Sequence, residues 1–160
     1  MILVGIKSDG ALIEDKGPLP EAARSAIEST VQLYSRVGWN QPWIGYLAFE
    51  NQECVGTCAF TSAPKDGVVE IAYYTFPNRE GRGVATRMAE SLLSIAGTSA
   101  PEVSVTAHTL PAENASTRIL RKLGFEWVGP RVHAEDGTIW VWRHKERGSL
   151  PRPSLAPEPA

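Results

Sequence analysis

The chain has no apolar run long enough to cross a membrane as a helix. It also has little net charge. Sixteen Lys and Arg stand against 18 Asp and Glu, a net of −2 with a pI near 5.9, which leaves no electrostatic case for nucleic acid or an anionic membrane as partner. Cysteine is scarce: Cys54 and Cys58 fall on one predicted strand, where four residues span roughly 13 Å. That is too far for a disulfide. They read as small core-type residues of a reducing compartment, so a cytoplasmic location is expected. The three histidines, His108, His133 and His144, lie on separate predicted elements and offer no metal-ligand spacing, so no metal is expected. Met1 to Gly5 lacks the basic start and the length of a signal-peptide core, and no internal repeat is visible.

At 160 residues, with 42% hydrophobic and 21% charged residues, the chain can bury one real core. One domain is expected over residues 1–147. From Gly148 onward prolines and small residues leave too little apolar surface to pack, and a disordered tail is expected over 148–160.

Ile2 to Ile6 fits a short first strand. Ala23, Ile27, Thr30, Tyr34 and Val37 recur at helical spacing over Glu21–Val37, closed by Gly38. The runs Trp43–Phe49 and Cys54–Phe60 read as a hairpin, and Lys65-Asp66-Gly67 as a turn into the next strand. Val68 to Phe76 is β-branched, aromatic or aliphatic apart from Glu70 and Ala72, and Pro77 ends its ladder. A helix is expected from Val84 to about Ala96, with Ala85, Met88, Leu92 and Ile95 inward and Gly97 as its stop. Glu102 to His108 alternates as a strand, parallel to its predecessor because a helix separates them. A short helix follows over Asn114–Lys122, with Ala115, Ile119, Leu120 and Leu123 inward. A last hairpin joins Phe125–Val132 to Thr138–His144.

The segment Glu70 to Glu90 carries the chemistry. It reads as strand, glycine loop, helix. Gly81 and Gly83 permit positive φ and close approach of the backbone, the helix start supplies free N–H groups, and Arg82 adds a cation. An anion such as a pyrophosphate suits such a place. Three readings of the loop are open: a plain connection, a dinucleotide fingerprint and a third carried by its full sequence. The fingerprint fits poorly, because Pro77 to Glu80 separate the glycines from the strand.

Pro77-Asn-Arg-Glu-Gly-Arg-Gly-Val-Ala85 resembles the Pro-x-x-Gln/Arg-Gly-Arg/Lys-Gly-x-Ala signature of the GNAT N-acetyltransferase superfamily. Glu80 stands where that family has Gln or Arg. Asn114-Ala-Ser-Thr-Arg-Ile-Leu-Arg-Lys-Leu-Gly-Phe125 is similar to a second run, found in the branch of the ribosomal-protein N-terminal acetyltransferases. The resemblance spans roughly residues 20–144. It implies an α+β GNAT fold: a mixed, mostly antiparallel sheet with a central splayed parallel strand pair, flanked by helices. It implies acetyl-CoA as cosubstrate and direct transfer of its acetyl group to a primary amine, on a small molecule or a peptide N-terminus. Homodimers are common in the family. Carried over by position, backbone groups of Tyr74, Thr75 and Phe76 would pair with the pantetheine. Gly81, Arg82, Gly83, Val84, Ala85 and Thr86 would hold the pyrophosphate, and Asn114 with Ser116 would meet the pantetheine arm.

The family's general-acid Tyr is replaced here by Leu120. With Glu80, that substitution keeps open a second function, a non-catalytic acyl-CoA-binding module. For catalysis the amine must shed a proton, and a carboxylate or imidazole can take it. Glu70 occupies the strand position where family members often carry such a Glu, and His108 ends the neighbouring strand. Trp39 and Trp43 are the candidate aromatic wall for the acceptor.

Overall fold

The computed structural model describes residues 1–144. The tail expected over 148–160 lies outside the described residues. The element order is β1 (Ile2–Gly5), α1 (Glu21–Val37), β2 (Gly45–Glu50), β3 (Glu53–Phe60), β4 (Val68–Thr75), α2 (Val84–Ser99), β5 (Ser104–Thr109), α3 (Ala115–Lys122), β6 (Phe125–His133) and β7 (Gly137–His144). The strands hydrogen-bond in the order β1-β2-β3-β4-β5-β7-β6. Every adjacent pair is antiparallel except β4 and β5, which are parallel, as the helix between them requires. This is the mixed α+β, GNAT-like fold expected from the sequence.

The chain forms two compact units. One comprises Met1–Ala63 and Ile71–Ile95; the other comprises Pro64–Glu70 and the chain from Ala96 onward. The first is built on β1 to β3, most of β4, α1 and most of α2. Ile6, Ile44, Leu47, Phe60, Ile71, Met88 and Leu92 fill its core. The β2–β3 hairpin turns on Asn51 and Gln52, both at positive φ, the two-residue turn whose twist matches the strands. One buried hydroxyl ties α1 to the sheet: Tyr34 Oη donates to the Ile6 carbonyl at 2.7 Å and accepts the Gly45 N–H at 2.9 Å. Gly45 is required there, since a Cβ would lie 2.6 Å from Thr30 Cγ2.

In the second unit β5 buries Val105, Ala107 and Thr109 on one face. Trp142 is fully buried, with Nε1 donating to Thr109 Oγ1 at 3.0 Å and the Arg121 guanidinium 5.0 Å over its ring.

Some expectations need correction. α2 continues through Gly97 to Ser99, because a glycine inside a helix costs only about 1 kcal/mol. Pro101 is the better stop, since proline disfavours helical geometry in the residue before it. The inward stripe of α2 is Val84, Met88, Ala89, Leu92 and Ala96, a shift from the stripe read in the sequence. Ala115 is exposed, and Thr117 takes the inward place beside Leu120. Val37, the last residue of α1, is exposed as well.

Candidate active site

The loop from Phe76 to Gly83 is set by backbone conformation. Asn78, Gly81 and Gly83 all have positive φ, at 74, 77 and 78°. A Cβ at Gly81 would meet nothing, so only the φ demands glycine there. At Gly83 a Cβ would also fall 2.7 Å from Arg87 Nη1. α2 begins at Val84, and the N–H groups of Val84, Ala85 and Thr86 belong to the first turn, which has no intrahelical acceptors. Arg82 is exposed beside them, and so is Glu80.

Two ion pairs hold the loop to the β2–β3 hairpin. Arg79 Nη1 meets Glu53 Oε1 at 2.8 Å. Arg87 grips both Glu50 oxygens, Nε to Oε2 at 2.5 Å and Nη2 to Oε1 at 2.9 Å, and Nη2 also donates to the Arg82 carbonyl at 3.0 Å. The bidentate bonds from Arg87 hold the Glu50 carboxyl below the usual carboxylate range. Sequence reading missed Arg87, Glu50, Arg79 and Glu53, because pairs 26 or more residues apart leave no local pattern.

The strand leading into the loop is partly committed. The Phe76 N–H donates to the Val55 carbonyl at 3.0 Å, and the Phe76 carbonyl accepts from Arg79 N at 3.1 Å. Phe76 therefore spends both backbone groups inside its own unit. Strand groups alternate between the two edges, so those of Tyr74 turn toward β3, as the Phe76 N–H does. Thr75 presents its groups to the opposite edge.

In the second unit, Glu70 and His108 come together. His108 Nδ1 is 3.1 Å from Glu70 Oε2, with both side chains largely but not fully covered. Burial pushes the imidazole pKa below its usual 6.5. The Glu70 carboxylate opposes that shift, Arg131 and His133 add to it, and Asp136 opposes it. The His133 ring lies 6.5 Å from that of His108. At 3.1 Å the Glu70 carboxylate lies beside Nδ1, and in the Nδ1–H tautomer of a neutral imidazole Nε2 is the basic nitrogen.

Asn114 is the N-cap of α3. Its Oδ1 accepts the Thr117 N–H at 3.0 Å, and Thr117 Oγ1 accepts the Asn114 N–H at 3.0 Å, a capping box. The Asn114 amide nitrogen is the side-chain group left for a ligand. Ser116 is half-buried in the first turn of the same helix.

A cavity of ≈ 430 Å³ lies in the first unit, walled by Ala22, Ser25, Ala26, Ser29 and Thr30 of α1 and by Thr57–Ala59 and Ala72–Tyr74 of the sheet. Trp39 and Trp43 are not in its lining. Trp39 Nε1 donates to the Ile6 carbonyl at 3.0 Å, and Trp43 packs edge-on against Phe60 at 4.9 Å. Among the described residues no cluster of His, Cys, Asp and Glu is suited to a metal, and no helix is long and apolar enough to cross a membrane. Cys54 and Cys58 are free thiols.

Comparison with known proteins bears on the fold and the family. No curated protein matches the chain in sequence. Among solved structures, the ribosomal L7/L12 alpha-N-protein acetyltransferase RimL in complex with coenzyme A superposes with a TM-score of 0.61 at 17% identity, over 81% of this chain and 73% of that one. The microcin C7 self-immunity acetyltransferase MccE, in complex with acetyl-CoA and AMP, gives 0.60 at 16% over 76% and 69%. The aminoglycoside acetyltransferase AAC(6')-Ib with coenzyme A gives 0.57 at 22% over 66% and 68%. At these identities the likeness concerns the fold. The acetyltransferase (GNAT) domain model matches residues 11–126, most of the chain, and with the glycine loop opening α2 it settles the relationship: this chain belongs to the GNAT family of acetyl-CoA-dependent acetyltransferases.

Proposed function

We propose that the protein moves the acetyl group of acetyl-CoA to a primary amine by direct attack in a ternary complex. The observation that carries this reading is the loop Asn78–Gly83. Its three positive-φ residues and the first-turn N–H groups of α2 are held by two ion pairs. A fixed array of backbone donors at a helix start fits a pyrophosphate. Gly81, Gly83, Val84, Ala85 and Thr86 would hold the phosphates, with Arg82 as the added cation. The backbone of Thr75 and the Asn114 amide nitrogen would meet the pantetheine. The fold shared with the ribosomal-protein alpha-N-acetyltransferase RimL and with an aminoglycoside acetyltransferase supports an amine acceptor.

The acceptor nitrogen attacks the thioester carbon, the C–N bond forms, the C–S bond breaks, and the coenzyme leaves as thiolate, which then takes a proton. The ammonium form cannot attack, so its proton must go first. The sequence left the base open between Glu70 and His108. The 3.1 Å contact between them favours a division of labour. The neutral His108 takes the proton on Nε2, while Glu70 holds the Nδ1–H and stabilises the imidazolium that forms.

Two measurements test the reading. Acetyl-CoA should bind in calorimetric titration, and Gly83→Glu should abolish that binding by blocking backbone approach and repelling the phosphates. Thiol release from acetyl-CoA should then rise when primary amines are supplied. Unchanged affinity in folded Gly83→Glu would remove the loop from the site. Binding without thiol release across an amine panel would favour the non-catalytic module.

A further inference from the structure

We propose that the cavity between α1 and the β3–β4 face selects a small primary monoamine with an uncharged, apolar or aromatic body, and turns away polycationic amines. The inference rests on the acetyl-transfer reading above and names the substrate class of that reaction. The wall of the cavity contains no Asp, Glu, Lys, Arg or His. Tyr73 and the Cys58 thiol add no charge, since burial pushes Tyr73 up to about 12 and the thiol upward. Space comes from small side chains: Ala22 and Ala26 on α1 face the sheet, where Ala59 and Ala72 stand opposite each other in register. Tyr74 supplies an aromatic surface that is 56% exposed and braced edge-on by Phe76 at 6.0 Å.

An ammonium on the substrate body would find no carboxylate in the wall to pair with. An apolar body would instead gain by leaving water. The same surroundings lower the pKa of the reacting amine and so favour its attacking form. A peptide N-terminus fits less well, because the amides behind its first residue need partners. Two of the wall's hydroxyls are already committed: Thr30 Oγ1 donates to the Ala26 carbonyl at 2.8 Å and Thr57 Oγ1 to the Tyr46 carbonyl at 2.9 Å. At ≈ 430 Å³ the cavity falls in the range of small-molecule sites.

The test is acetyl-CoA thiol release with 2-phenylethylamine, spermidine, kanamycin and a tripeptide with a free N-terminus. 2-Phenylethylamine should show the highest kcat/KM, by at least about tenfold. Ser29→Asp places a carboxylate in the wall from an exposed α1 position that should not disturb folding. It should shift the spermidine-to-phenylethylamine ratio toward spermidine by about tenfold or more, with acetyl-CoA affinity unchanged. Preference for spermidine, kanamycin or the tripeptide in the wild type, or an unmoved ratio in Ser29→Asp, overturns the cavity assignment and leaves acetyl transfer standing. No thiol release with any amine, despite acetyl-CoA binding, overturns both.

Discussion

His108 and Glu70 show how a residue's environment sets its charge. Burial, Arg131 and His133 together keep the imidazole neutral below its ordinary range, against the pull of Glu70 and Asp136. The sign of the stability effect follows. His108 has a lowered folded-state pKa, so the unfolded chain takes the proton first as pH falls. Stability linked to this group is intact above pH 6.5 and declines as pH drops from 6.5 toward the folded value. The acid limb of kcat/KM should likewise lie below pH 6.5. Glu70→Gln removes the charge that raises the imidazole pKa, so that limb should move to still lower pH. The maximal rate should drop roughly 10²-fold, within the range for a disturbed general base. His108→Ala should cost at least as much, and the double variant should cost little more than either alone. Additive losses, or an acid limb that rises in Glu70→Gln, would show that the two side chains act separately.

At the scale of elements, the glycine loop depends on its neighbour hairpin. Arg87 joins α2, the Arg82 carbonyl and Glu50 of β2. Arg87→Met should lower acetyl-CoA affinity by about tenfold through lost preorganisation. It should alter the melting temperature only slightly, since an ion pair that stays in reach of water adds little to stability. Glu50→Gln should act in the same direction, which calorimetry on both variants can check. For α3 the cap and the proposed ligand contact can be separated. Asn114→Asp keeps the oxygen that accepts the Thr117 N–H but loses the amide donor. Its melting temperature should match wild type while acetyl-CoA affinity falls. Asn114→Ala should also destabilise, by about 1 kcal/mol. Equal affinity in Asn114→Asp and wild type would restrict Asn114 to its capping role.

At the scale of the molecule, stability depends on a few large buried side chains. Trp142 contributes apolar area, a hydrogen bond to Thr109 and a stacking surface for Arg121. Trp142→Leu should lower the unfolding free energy by about 3 kcal/mol, mostly from the space it leaves, and urea denaturation would measure it. A change below about 1 kcal/mol would mean that the neighbouring side chains collapse into that space.

Element order and type were legible in the sequence because they rest on local signals. Alternation marked β5, helical spacing marked α1, and Asn51-Gln52 and Asp66-Gly67 marked the turns that take positive φ. The glycine loop was legible for the same reason, its glycines and following helix being contiguous. The α2 stop and the inward face of α3 were misread, since neighbours in space chose among side chains whose local preferences differ little. What tertiary structure alone decided is how distant residues meet. Glu70 and His108 were separate candidates until folding set them 3.1 Å apart. Arg87 found Glu50 across 37 residues, and Trp39 proved to be bonded to the Ile6 carbonyl rather than part of the cavity wall. Periodicity reports what each segment buries, whereas partners are fixed only when the strands take their register.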